Sequence, residues 1–269
     1  MPLADYDDYI LRLQENSTAN FQMSAAFGLA DRLVFASRVF IPAPATPTTS
    51  VALDRTSDHS IGPMPVVASG QLTILGGCLT TIDGGQAVIL VDMLNISGGL
   101  SGTVTTTQTT NLPTATLTRF TSGEGVMAGL CIWTAIGTTG TTVTVSYTNQ
   151  AGTSGRVTTA NPTIGGVNFR EAGRILPIPL LAGDTGVRSV ESVTLAGTTA
   201  TAGNFGVCLF KPLAIMALND VQGPHLIDAV STGGFIGALA AVHSDACLSV
   251  FGIGSVSQAL SGSIILAEV

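Results

Sequence analysis

The chain has 269 residues, room for one large β domain or two smaller ones. Hydrophobic residues make up 45% of it and charged residues only 10%, against roughly 25% in an ordinary soluble domain. One lysine and nine arginines stand against 17 acids, for a net charge of −7 with no basic cluster, which argues against a nucleic-acid-binding face and against adhesion to anionic membranes.

With so little charge, either Thr, Ser, Gly and Asn solvate the surface or other subunits cover it, and covered surface is the favoured reading. The first residues, MPLADYDDYILRLQ, carry acids where a signal peptide carries lysines, and no apolar run follows, so folding in a cytoplasm is expected. Tyr6, Tyr9, Ile10 and Leu13 then follow helical spacing, and Asp5, Asp7 and Asp8 favour a helix N-terminus. Phe21, Ala25, Leu29 and Leu33 continue at near-helical spacing, with Phe27 between them. Residues 1–41 are therefore read as an arm of one or two short helices, or an arm that orders on a partner, with simple packing on its own domain as an equal alternative. Pro42, Pro44 and Pro47 make residues 42–50 an extended linker and a domain boundary.

From Ser60 to Thr118 the only charged residues are Asp83 and Asp92. Short apolar runs alternate with glycine turns expected at Gly76–Gly77 and Asp83-Gly84, and Asp-Gly between β-prone runs signals a hairpin. The threonine-rich stretch 101–112 reads as a half-solvated strand or an exposed loop. VMAGLCIW (126–133) is apolar on both faces and so reads as a central strand. TTVTVSYT (141–148) alternates, with Val143, Val145 and Tyr147 inward. Asn149–Gly152 and Gly183–Gly186 read as turns. ILPIPLL (175–181) holds two prolines and is assigned to an edge or a loop. Val187–Leu195 and Phe205–Phe210 are the last strands of a body spanning 51–218.

The segment 219–269 is apolar and glycine-rich, with Phe235 and Ile236 in its longest uncharged stretch, which is too short to span a bilayer. Short strands, or a helix buried between subunits, are expected there. The fold class is mainly β, a β-sandwich or jelly roll with a short helical or extended N-terminal arm.

No catalytic, cofactor or metal site is assigned. His225 with Asp228 and His243 with Asp245 lack the tight, repeated ligand spacing of zinc sites. GEGVMA (123–128) matches a dinucleotide-loop pattern only formally, because strand rather than helix follows it. The nucleophile-elbow and P-loop patterns are absent from the sequence. Cys78, Cys131, Cys208 and Cys247 lie far apart and read as buried reduced thiols. Arg156, Arg170, Arg174 and Arg188 flank turns and are expected to pair with Glu171, Asp184 or Glu191.

Three stretches, GGLSGTVTTTQTTNLPTATLTRFTSGEGV (98–126), YTNQAGTSGR (147–156) and LLAGDTGVRSVESVTLAGTTATAGNFGVCLFKPLA (180–214), resemble β-rich head or capsid-associated virion proteins of tailed bacteriophages. The resemblance implies a structural protein located in the virion after assembly in the host cytoplasm. Its partners would be other copies of itself, in a trimer or another homo-oligomer, and the major capsid protein or other virion proteins. Capsid decoration or cementing is the preferred role. A jelly-roll capsid subunit, a head–tail or tail component, and a carbohydrate-binding adhesive β module are the alternatives. Tyr6, Tyr9, Ile10, Leu13, Phe21, Phe27 and Leu33 of the arm, with Phe235 and Ile236, are the expected interface residues.

Overall fold

A computed structural model describes residues 18–26, 33–35, 37–38, 50–57, 59–60, 71–81, 86–110, 112, 117–158, 161–167, 169–218, 225–228, 241–253 and 257–268. The regular elements among them are all strands. In chain order they are β1 (Thr18–Ala26), β2 (Leu33–Phe35), β3 (Ser37–Arg38), β4 (Val51–Ala52), β5 (Gln71–Thr81) and β6 (Gln86–Ile96). Then follow β7 (Gln108–Thr109), β8 (Met127–Thr134), β9 (Thr141–Asn149), β10 (Arg156–Val157), β11 (Thr163–Ile164) and β12 (Arg174–Pro177). The last are β13 (Val187–Leu195), β14 (Asn204–Leu218), β15 (His225–Asp228), β16 (Ala241–His243), β17 (Cys247–Ile253) and β18 (Ser257–Glu268).

They form three antiparallel sheets. The largest runs β14-β8-β12-β2-β17-β6 and returns from β6 to β14, so that its pairings close into a ring, with β4 added to β6. The second runs β10-β9-β13-β7, with β11 on β9. The third runs β15-β5-β18-β1-β3, with β16 on β5.

Among the described residues, two cores follow from the alternation of side chains along these strands. One gathers Val91, Met93, Cys131, Ile175, Cys208, Phe210, Cys247 and Phe251, all from strands of the ring; the Phe210 and Phe251 rings meet edge to face at 4.9 Å. The other lies between the ring and the second sheet. It packs Leu130, Ile132, Val207 and Leu209 against Val143, Val145, Tyr147, Val190 and Val193. The body is thus sandwich-like, and β8 is apolar on both faces because each face lines a different core. β9 alternates as expected, with Val143, Val145 and Tyr147 fully buried.

Several expectations are corrected. The helical spacing through Phe21, Ala25 and Leu33 does not yield a helix at the described positions: Thr18–Ala26 and Leu33–Phe35 are strands. A nine-residue ladder to β18 and two-sided pairing of β2 override a weak periodicity that β-prone neighbours interrupt. Gly76–Gly77 is no turn, because β5 runs through it and pairs with β18 and β15 there. Asp83-Gly84 lies outside the described residues; the strands on either side of it, β5 and β6, belong to different sheets.

Residues 178–181, with Pro179, form a loop as one reading of 175–181 expects, but β12, which holds Pro177, is no edge, since it pairs with β8 on one side and β2 on the other. Pro177 is tolerated by β8 because the amide of Ile178, not position 177, donates to the Ala128 carbonyl; position 177 faces away from β8, beyond the described pairing with β2 at Arg174 and Ile175. Residues 101–107 form a loop, exposed from Thr103 onward, that leads into the short β7. The described parts of 219–269 are the strands β15 to β18. Among the described residues no helix is long and apolar enough to cross a membrane.

Candidate functional site

The three stretches quoted above meet at one end of the sandwich, where the turns 120–125, 149–155 and 181–186 come together. Asp184 is the centre. Its Oδ2 accepts from the Tyr147 hydroxyl at 2.7 Å and from Arg156 Nε at 2.9 Å. Its Oδ1 accepts from Asn149 Nδ2 at 2.7 Å and Arg156 Nη2 at 3.1 Å. The Arg156 guanidinium, then the Tyr147 hydroxyl, hold the Asp184 carboxyl down to about 2. Burial, then the bond to Asp184, push the Tyr147 phenol above its ordinary value. Tyr147 also accepts the Leu181 amide at 2.7 Å, fixing the turn to β9.

The neighbouring turns are laced in the same way. Arg188 Nε donates to the carbonyls of Ser122 and Gln150. The Thr185 hydroxyl donates to Glu124 at 2.7 Å, and the Thr185 amide to Gln150 Oε1. Lys211, the chain's one lysine, donates to the Glu124 carbonyl at 2.8 Å and lies 5.5 Å from the Phe120 ring centroid. A Cβ on Gly186 would lie 1.9 Å from the Gly123 carbonyl oxygen, so these turns approach more closely than any side chain allows. Beyond this lacing, exposed Thr121, Ser122, Ala151, Thr153, Ser154 and Thr185 form a small-residue surface.

The expected arginine pairing is present within the chain for Arg156 with Asp184, and for Arg170 and Arg174 with Glu171 at 3.7 and 3.3 Å. Arg188 instead binds carbonyls. Glu191 takes Ser146, Thr148 and the Gly155 amide. Burial raises its carboxyl, but these three donors outweigh burial and hold it below the usual range.

A second polar cluster went unrecognised in the sequence. Arg119, 4% exposed, donates to both oxygens of Asp92, 1% exposed, each at 2.9 Å. Arg119 also donates to the carbonyls of Leu53 and Met93, and Asp92 accepts the Cys247 amide at 3.0 Å. Burial pushes the Asp92 carboxyl up against the pull of Arg119. The pair ties residue 119 to β6 and β17. A lone arginine in a threonine-rich run, 27 residues from its partner, gives no local signal.

Neither comparison with family models nor comparison with curated proteins and solved structures gives a match.

Of the expected interface residues, Tyr6, Tyr9, Ile10, Leu13, Phe27, Phe235 and Ile236 lie outside the described residues. Phe21 stands opposite Gly262 in the β1–β18 ladder, and Leu33 opposite Ile175 and Ile253. His243 Nδ1 accepts the Asp245 amide, and among the described residues no group of three His, Cys, Asp or Glu is placed to hold a metal. GEGVMA leads into β8, a strand. Trp133 directs its indole N–H to the Ser97 carbonyl at 2.8 Å and packs edge to face on His59. Cys131, Cys208 and Cys247 are buried free thiols.

Proposed function

We propose that this chain is a non-enzymatic structural protein of a tailed-bacteriophage virion, acting as a capsid decoration or cement protein that stabilises the head by burial against major capsid subunits. Its partners in this reading are further copies of itself and the major capsid protein, and its place is the assembled virion.

The observation that carries the reading is the turn cluster around Asp184. It draws together the stretches that resemble phage head proteins. Apart from the exposed Glu124, whose carboxylate accepts the Thr185 hydroxyl, its charged groups are paired internally or bound to carbonyls, so the rest of its outer surface is small, polar and uncharged. Such a surface desolvates at little cost and is held rigid before it binds, which favours shape-matched contact. Three carboxylates elsewhere are also tied: Glu171 to arginines, Asp54 to Thr56 and Ser57, Asp92 to Arg119. That is the pattern of a scaffold rather than of acid–base chemistry, which needs a carboxyl with an open position near a substrate.

The test is co-sedimentation of the purified chain with heads of the encoding phage assembled without it. Saturable retention at a fixed ratio to the major capsid protein is expected, with heads surviving to higher temperature. A chain that stays monomeric at micromolar concentration and is not retained would overturn the reading; specific retention on a glycan array would move it to the adhesive class.

A further inference from the structure

Residues 18–38 complete two separate sheets. β2 is the strand between β12 and β17: Leu33 stands opposite Ile175 on one side and Ile253 on the other, and Val34 opposite Arg174 and Gly252. β1 lies along β18 in a continuous register from Thr18↔Ile265 to Ala26↔Ser257. β3 returns along its other side at Met23 and Ser24. Without this segment the ring would stand open between β12 and β17, and β18 would present an unpaired edge. One chain therefore carries both a strand donor and the two acceptors that match it.

A donor held by backbone ladders can be supplied equally well by an identical copy, which is the basis of strand exchange between protomers. The tether allows it. β3 ends at Arg38 and β4 begins at Val51. The intervening sequence carries Pro42, Pro44 and Pro47, which favour extension. At full stretch residues 39–50 reach roughly 40 Å, many times the ~5 Å between neighbouring strands. The motive lies in the composition: a chain with 10% charged residues gains by burying surface in an assembly, and exchanged strands bury backbone and side chains together.

We propose that in the assembled protein residues 18–38 are exchanged between copies, the β1–β3 segment of one copy filling the β12–β17 gap and the β18 edge of the next. This rests on the self-association put forward above.

The register supplies the test. Gln22 and Ser261 are directly opposed, and opposed Cα atoms in an antiparallel pair lie ~4.5–5.5 Å apart, within disulfide range. The full-length double variant Gln22→Cys/Ser261→Cys is oxidised with oxidised glutathione and run on a non-reducing denaturing gel beside the parent, which reports the background from native thiols. Exchange predicts covalent multimers dispersed by dithiothreitol. It also predicts that co-expressed Gln22→Cys and Ser261→Cys single variants give a covalent dimer that neither gives alone. A double variant that cross-links yet runs at the mass of one chain overturns the proposal, and so does one that does not cross-link. If sedimentation shows an oligomer while the cross-link stays within one chain, exchange fails and self-association stands.

Discussion

The Tyr147 hydroxyl donates to Asp184 and, on the same oxygen, accepts the amide of Leu181, both at 2.7 Å. One buried side chain thus anchors both the base and the tip of the 181–186 turn to the second sheet. Removing the hydroxyl leaves the Leu181 amide without its acceptor while the ring still fills the core. Tyr147→Phe is therefore expected to destabilise the protein by about 1–3 kcal/mol, read as a lower urea midpoint at unchanged slope. An unchanged midpoint would show that the bond contributes nothing net.

The pH response of the cluster has a defined sign. Asp184 is held near 2 in the folded protein, mainly by Arg156, and an unfolded aspartate titrates near 3.8–3.9. A depressed carboxyl contributes stability that is fully present above its unfolded pKa and is lost as pH falls through its folded one. The stability gap between the parent and Asp184→Asn is thus expected to be constant above pH ~5 and to shrink between pH ~4 and ~2. Urea midpoints for both proteins across that range measure it. A gap that does not change with pH would mean that Asp184 acts through shape alone.

Arg119 and Asp92 invite a double-mutant cycle. Truncating Arg119 leaves the Asp92 carboxylate buried without its ion partner, and truncating Asp92 leaves the buried Arg119 with only the half-exposed Asp245 at 3.8 Å; breaking a buried pair in this way typically costs about 3–5 kcal/mol. Arg119→Met and Asp92→Leu should each lower stability by that order. The double variant should recover most of the loss, since an apolar pair of similar volume suits a site where neither residue is more than 4% exposed. Singles that sum to the double would refute coupling between the two.

How far the sequence could be read depends on the range of the determinant. Val143, Val145 and Tyr147 were legible as inward-facing because alternation is a local property of one strand. The turns at Asn149 and Asp184 were legible from their own residues, and β8 from its two apolar faces. Tyr147 and Asp184 were each placed, but their meeting was not, because 37 residues separate them. The Arg119–Asp92 pair was invisible for the same reason. The failures at Gly76–Gly77 and at Pro177 have a common cause: local turn and breaker signals give way when neighbouring strands pair through the position, or end just before it. The arm misled most, since Phe21, Ala25 and Leu33 mimic a helix while strands remote in sequence hold that backbone extended.

The thiols offer a check on the cores. Cys131, Cys208 and Cys247 are each at most 2% exposed, and burial pushes the Cys131 and Cys247 thiols well above their ordinary value. Thiolate is the reactive form, so alkylation of the native protein with iodoacetamide at pH 8, mapped by mass spectrometry, should leave these three positions unmodified for hours and label all of them in 6 M guanidinium. Rapid labelling of Cys247 in the native protein would show that the β17 side of the ring opens readily.

Truncation tests the place of the arm in the fold. Residues 18–38 supply β1, β2 and β3, so deleting residues 1–41 removes the strand between β12 and β17 and bares the β18 edge. An open ring and a long unpaired edge are aggregation templates. Loss of soluble, cooperatively folding protein is expected, rather than a folded body that has merely lost a contact. If the 1–41 deletion instead unfolds cooperatively at the parental midpoint, the ring does not need β2, and the arm belongs outside the folding unit.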